Sequence, residues 1–299
     1  MSDDYLLVTV SASREHAEPV EDTLLELGAL SVTYADAQDQ PIHEPAPGTT
    51  PLWPQLQITG MFAVSAEPEL LSRLLQDATG VVDASQIRYK TLQGRHWERA
   101  WMDDYQPIAV NDKLWIVPSF CDAPDLSATN ISIDPGLAFG SGTHATTWLC
   151  LQWLGRQQLS NKVVIDYGCG SGILAVGAAL LGAAHVYAYD IDAQALLATQ
   201  ENAERNTVAD KITVCHADRD LPAAADMVVA NILLAPLLDL HKRFAGLLPD
   251  HGRIGLSGVL AEQVATLAGR YAEYFQHEET ELRQQWALYS AKRLDELAT

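Results

Sequence analysis

Residues 163–172 read V-V-I-D-Y-G-C-G-S-G: branched apolar residues, a carboxylate, then glycine at every second position. The next ten residues, I-L-A-V-G-A-A-L-L-G, are small and aliphatic with helical character, and a second apolar run over 185–189 ends in Asp190. A strand, a glycine turn, a helix and a second strand tipped by a carboxylate make a mononucleotide-binding βαβ half. The glycines let the backbone come close to a ligand. A carboxylate at the second strand tip can accept hydrogen bonds from both hydroxyls of a ribose.

The spacing then discriminates among nucleotides. A dinucleotide fingerprint is G-x-G-x-x-G, which turns helix N-terminal amides toward a pyrophosphate. Here Gly168, Gly170 and Gly172 form G-x-G-x-G, and Asp166 precedes the first of them by two residues. A carboxylate at the turn repels a diphosphate but suits a ligand carrying an ammonium and a sulfonium, which describes S-adenosyl-L-methionine. Two readings compete with this one: a nicotinamide dinucleotide, and a glycine loop that only closes a strand–helix turn. By position, Gly168 lies under the methionine part of the cofactor, with Gly170 beside it, and Asp190 takes the ribose. Asp166 either orients the cofactor's ammonium or serves as a buried turn acceptor.

Two more segments complete the constellation. Residues 134–147 read D-P-G-L-A-F-G-S-G-T-H-A-T-T, and residues 228–234 read V-V-A-N-I-L-L at the expected end of the fourth strand. With Asp166–Gly172 and Asp190-Ile191-Asp192, these motifs resemble the ribosomal protein L11 methyltransferase family (PrmA). The resemblance runs over essentially the whole chain, with Ser141 where the family has threonine and Ala145 where it has proline. It implies an enzyme, a protein-lysine N-methyltransferase, using S-adenosyl-L-methionine to methylate lysine side chains and the N-terminal amine of ribosomal protein L11 to the trimethyl state. It also matches Thr147 and Asn231 to cofactor-binding positions. From sequence alone, Thr147 could equally be a first-turn helix hydroxyl. Phe139 and Gly142 belong to a loop able to fold over the cofactor, and His144 beside it is a structural donor or a catalyst.

Asn231 bears on the acceptor. Related amide and adenine methyltransferases carry N-P-P-Y or D-P-P-Y at this strand tip, gripping a planar nitrogen. This chain has N-I-L-L, with neither a proline pair nor an aromatic. The expectation is a site without a plate for a flat group, open to an aliphatic amine that Asn231 positions through its side-chain carbonyl. A lysine amine, with a pKa near 10.4 in water, must first lose a proton. Burial favours the neutral form, so no dedicated base is required. The alternatives are a lysine methyltransferase of the same fold with another protein target, a nicotinamide-dependent oxidoreductase, and a silent binding module.

Composition bounds these readings. The chain has 299 residues, enough for two cores. Its four cysteines lack C-x-x-C spacing, so neither a disulfide framework nor a zinc site is expected. No apolar run reaches the roughly 18 residues of a membrane span, and a cytoplasmic monomer is expected. The net charge is −20, and the first 94 residues carry fourteen acids against four Lys and Arg. Such a field repels nucleic-acid phosphates and draws in a basic partner, free or on the large ribosomal subunit. The same acidity could serve solubility alone.

The elements that must position these residues divide three ways. Residues 1–93 pattern as βαββαβ, a small α+β ferredoxin-like domain, which the resemblance makes the substrate-recognition part. Ser13 is expected to cap its first helix, and residues 84–91 to form its fourth strand. Residues 94–106 suggest a linker helix with Trp97 and Trp101 on one face, either packed or acting as a hinge. Residues 107–299 alternate strand and helix, as in a Rossmann-like class I methyltransferase domain with a mostly parallel seven-stranded sheet. A helix over 261–271 and a strand over 287–291 close the chain.

Overall fold

A computed structural model describes residues 4–38, 51–80, 82–92, 106–133 and 142–295. The chain divides into two units, Met1–Asp104 and Tyr105–Thr299. The expected linker helix, with Trp97 and Trp101, lies outside the described residues apart from its last position.

In the first unit, strict period-two alternation makes β1 (Tyr5–Ser13) bury Leu6, Val8, Val10 and Ala12 on one face. That face packs against α1 (Ala17–Glu26) and α2 (Pro68–Thr79). With β2 (Ser31–Asp36), β3 (Gln55–Ala63) and β4 (Ile87–Leu92) it forms an antiparallel sheet of order β2-β3-β1-β4. This is the ferredoxin-like arrangement. Two local expectations are corrected. Ser13 ends β1 and caps no backbone N–H; its hydroxyl pairs with His16 Nδ1 at 3.0 Å, and α1 starts only at Ala17. Residues Ala84–Gln86 form a 3-10 turn ahead of β4, because the Gln86 side chain reaches back to the Asp83 N–H at 2.7 Å.

The second unit opens with a three-stranded sheet of β5 (Ile108–Asn111), β6 (Leu114–Pro118) and β7 (Thr129–Ile133). Then follow α3 (Ala145–Arg156), β8 (Val163–Tyr167), α4 (Ile173–Leu180), β9 (His185–Tyr189), α5 (Ala193–Arg205), β10 (Ile212–Cys215) and β11 (Met227–Asn231). The remainder is α6 (Leu234–Leu247), β12 (Arg253–Leu260), α7 (Val264–Tyr271), β13 (Phe275–Arg283) and β14 (Trp286–Arg293). The large sheet has the order β10-β9-β8-β11-β12-β14-β13, parallel from β10 to β12, with β14 antiparallel to both of its neighbours.

The central strands are predominantly apolar because hydrophobic clusters cover both faces of the sheet. From β8 the chain winds outward through β9 and β10, then returns to β11 and β12 on the other side. The switch point therefore falls between β8 and β11, where α/β sheets open a ligand crevice at their carboxyl ends. β13 was not visible as a strand in the sequence: it is the outermost strand, paired only with β14, and its exposed run carries Glu278 and Glu279. Charge on an edge strand hides the apolar period while guarding against edge-to-edge association.

Candidate functional site

The glycine loop leaves β8 and is tied from several sides. Gly168 and Cys169 N–H groups both donate to the Tyr189 carbonyl, at 2.7 and 3.0 Å, so the loop is bound to the tip of β9. Asp190 continues from that tip. Its Oδ2 accepts from Gly170 N–H at 2.9 Å and its Oδ1 from Asp192 N–H at 3.0 Å. From the other side, α5 donates Thr199 Oγ1 to the Gly170 carbonyl at 3.1 Å and Asn202 Nδ2 to the Ser171 carbonyl at 2.8 Å. Two backbone donors leave about half of the lone-pair positions of Asp190 for a ligand.

Asp166 lies under this loop, fully buried. Its Oδ2 accepts from Ala175 N–H at 2.9 Å in the first turn of α4, while its Oδ1 has no partner. The carboxylate thus occupies an amide that a pyrophosphate would need, which disfavours a dinucleotide. Burial pushes its pKa up to about 7, opposed by the Ala175 N–H and assisted by the neighbouring Asp190 charge. An unfolded aspartate titrates near 3.9, so between roughly pH 4 and the folded value the native state binds more protons and stability falls as pH rises. Above that window the penalty is complete and the curve levels. The urea midpoint of the ligand-free protein is therefore expected to decline across this window, and to decline less in Asp166→Asn. Parallel curves for the two proteins would refute the assignment.

Gly168, Gly170, Asp190 and Asn231 come together around one cavity of about 520 Å³, within the usual range for small-molecule sites. Its other lining residues are His144, Thr146, Ile232, Leu233, Pro236, Gly258 and Trp286. Asn231 ends β11; its Nδ2 donates to Thr147 Oγ1 at 3.4 Å, and its Oδ1 is buried without a partner. Thr147 is fully buried in the first turn of α3, behind Asn231, while Thr146 faces the cavity. His144 caps α3: its Nδ1 lies 2.7 Å from Thr146 Oγ1 and accepts from Thr146 N–H at 3.4 Å. Burial lowers its pKa. Gly142 stands at φ +86° against Ile116 and Ile173. Phe139 lies outside the described residues.

Sequence reasoning missed Gly258 and Trp286. Gly258 sits at the irregularity where the β12–β14 register shifts between Leu256 and Val259, at φ +86°. A Cβ there would stand 2.3 Å from the Ile232 carbonyl oxygen, so the N-I-L-L turn lies directly on this glycine. A glycine inside an apolar run is the signal that could have revealed the bulge. Gly258→Ala is expected to lower Tm by roughly 5–10 °C, since the obstructing atoms are backbone and cannot swing aside. A scanning-calorimetry shift under about 1 °C would contradict this. Trp286 opens β14, and its ring packs edge-on to the His144 ring with centroids 4.7 Å apart. The expectation of a site without an aromatic plate is therefore corrected: the strand tip lacks one, but the last hairpin supplies it.

The polar groups of this cavity fit one kind of ligand. Asp190 offers free acceptor positions to a diol, Asn231 lines the wall with its Oδ1 buried and unpartnered, and the remaining walls are largely apolar. That combination suits a nucleoside joined to a compact cationic group and accepts S-adenosyl-L-methionine. The chain matches the family described as Ribosomal protein L11 methyltransferase (PrmA) over residues 4–294. This chain belongs to that family. It is 46% identical over 295 residues to the ribosomal protein L11 methyltransferase of Acinetobacter baumannii, covering 97% of this chain and 98% of the relative. The corresponding protein of Pseudomonas putida is also 46% identical, over 290 residues. A crystal structure of ribosomal protein L11 methylase from Lactobacillus delbrueckii superposes with a TM-score of 0.60 at 33% identity, covering 64% of this chain and all of that one. PrmA membership makes the chain a methyltransferase with S-adenosyl-L-methionine as its cofactor, and the nicotinamide reading is set aside.

Proposed function

We propose that this chain transfers methyl groups from S-adenosyl-L-methionine to amines of ribosomal protein L11, both lysine side chains and the N-terminal amine, up to the trimethyl state. The observation that carries the reading is the pairing, in one cavity of a PrmA-family chain, of Asp190's open acceptor positions with the unpartnered Asn231 Oδ1. When bound, the cofactor supplies a methyl group already activated by its sulfonium. The chain's own residues then align, desolvate and orient. Asp190 holds the ribose hydroxyls, and Gly168 and Gly170 bring the backbone against the methionine part. Asp166, buried under the loop and outside the cavity lining, acts from below by holding the first turn of α4 through Ala175 N–H. Thr147 holds the Asn231 amide so that Oδ1 is presented to an N–H of the acceptor. Ile232, Leu233, Pro236 and Trp286 exclude water there, which favours the neutral amine.

The first unit is the substrate-recognition part in this reading. Exposed carboxylates on its helices, including Glu18, Asp22, Glu26, Glu69 and Asp77, supply a field that draws a basic protein. The enzyme acts as a cytoplasmic monomer, on L11 either free or on the large subunit. Among the described residues no helix is long and apolar enough to cross a membrane. Intact-mass spectrometry of L11 incubated with the enzyme and cofactor tests the proposal. Methyl-sized increments ending at multiples of three are expected. An unmodified L11, with cofactor binding intact by calorimetry, would move the target to another protein.

A further inference from the structure

Repeated methylation of one nitrogen sets a problem that hydrogen bonding alone does not solve. Each transfer forms an N–C bond from the amine lone pair while the S–CH3 bond breaks with its electrons going to sulfur. The new ammonium gives a proton to water before the next round. A primary amine brings two N–H groups to the reaction, and its developing ammonium can donate to Asn231 Oδ1. In the third transfer the acceptor is a tertiary amine with no N–H. The positive charge that grows on its nitrogen must be stabilised by something other than a hydrogen bond.

The cavity holds such a group. Trp286 lines it together with Asn231, Ile232, Leu233 and Pro236, and among the described residues Asp190 is the one carboxylate in that lining. The tryptophan's position is set from several sides. Its ring packs against His144, the cap of α3. The Arg283 guanidinium, at the other end of the hairpin turn, lies 3.9 Å from the centre of the Trp148 ring on the same helix. Ala261 N–H donates to the Gln285 carbonyl inside the turn at 2.9 Å. An aromatic face attracts a quaternary ammonium without needing any N–H, and the attraction strengthens when water is excluded.

We infer that Trp286 is a specificity-determining residue that stabilises the methylated ammonium on the acceptor side of the cavity, and so sets how far each amine is methylated. The inference rests on the amine-methyltransferase reading above. Asn231 serves the early transfers, when N–H groups remain, and Trp286 serves the later ones, when they are gone.

Two measurements test this. The first follows the mono-, di- and trimethyl populations of L11 over time by mass spectrometry with wild type, Trp286→Phe and Trp286→Leu. In Trp286→Leu the rate of the third transfer relative to the first is expected to fall roughly tenfold, with mono- and dimethyl species accumulating. Trp286→Phe, which keeps an aromatic face, restores most of the third transfer. The same step ratio in Trp286→Leu as in wild type overturns the inference.

The second measurement needs no turnover. The Trp286 indole N–H resonance, assigned by its loss in Trp286→Phe, is followed as wild type is titrated with tetramethylammonium and, separately, with the neutral isostere tert-butanol. A shift with the cation that tert-butanol does not reproduce supports a cation site. An equal response to both, or none to the cation, overturns it. Should wild type leave L11 unmodified, the substrate reading fails, and this titration still decides the role of Trp286.

Discussion

Asp190→Ala is expected to weaken S-adenosyl-L-methionine binding about a thousandfold, read as Kd by isothermal titration calorimetry. The carboxylate has two duties. Toward the ligand, in the reading proposed above, it offers charge-assisted hydrogen bonds to the ribose hydroxyls, each worth roughly 1.5–3 kcal/mol. Toward the protein it receives the Gly170 and Asp192 N–H groups, fastening the glycine loop to the tip of β9. Alanine removes both, so the loop loses an anchor in the same step that the ligand loses its diol partner. Asp190→Asn keeps one acceptor oxygen without the charge and should fall between wild type and alanine. An unchanged Kd for the alanine variant would remove Asp190 from the cofactor site.

Gly168→Val should be comparably severe, for a steric reason. Gly168 adopts φ +81°, and a Cβ there would stand 2.4 Å from Ile232 Cγ2. Relief requires the Ile232 side chain, which follows Asn231 directly, to give way. The loop and the strand tip are thus one tightly packed unit, with Ile232 between Gly168 below and Gly258 behind. Cofactor affinity is expected to fall by at least about a hundredfold, with a loss of stability of roughly 2–4 kcal/mol. Gly28→Ala supplies the control: that glycine also has φ +94°, but a Cβ would meet nothing within 4 Å. Its cost should be strain alone, on the order of 1 kcal/mol, with cofactor affinity unchanged. Equal losses at the two positions would mean that backbone strain, rather than contact with Ile232, governs Gly168.

Much of the second unit was legible because its signals are local. A parallel strand covered on both faces must be apolar along its length, so β8, β9 and β11 stand out wherever they fall in the chain. Left-handed glycines between a strand and a helix announce a turn made for close approach. The acid at the tip of β9 follows at the βαβ interval. Boundaries set by side-chain bonding were harder. The shortening of the fourth strand of the first unit depends on Gln86 folding back to Asp83, and the freeing of Ser13 from a capping role depends on His16. β13 was hidden because an edge strand buries little and carries charge instead.

The sequence by itself determined the cofactor class and the family, and it singled out Asp190 and Asn231 as the strand-tip residues proposed to meet ribose and acceptor. Each is encoded in contiguous residues whose types and spacing have few other uses. Only the tertiary structure decided what surrounds them. It placed the switch point between β8 and β11, put Asp166 under the first turn of α4, and turned Thr146 to the cavity while setting Thr147 behind Asn231. It also brought Gly258 from a bulge in β12 and Trp286 from the final hairpin to the wall of the same cavity. These residues are remote in sequence from the motifs they complete. Strand order and register, which arise from packing over the whole sheet, bring them together, and no local pattern records such long-range pairing.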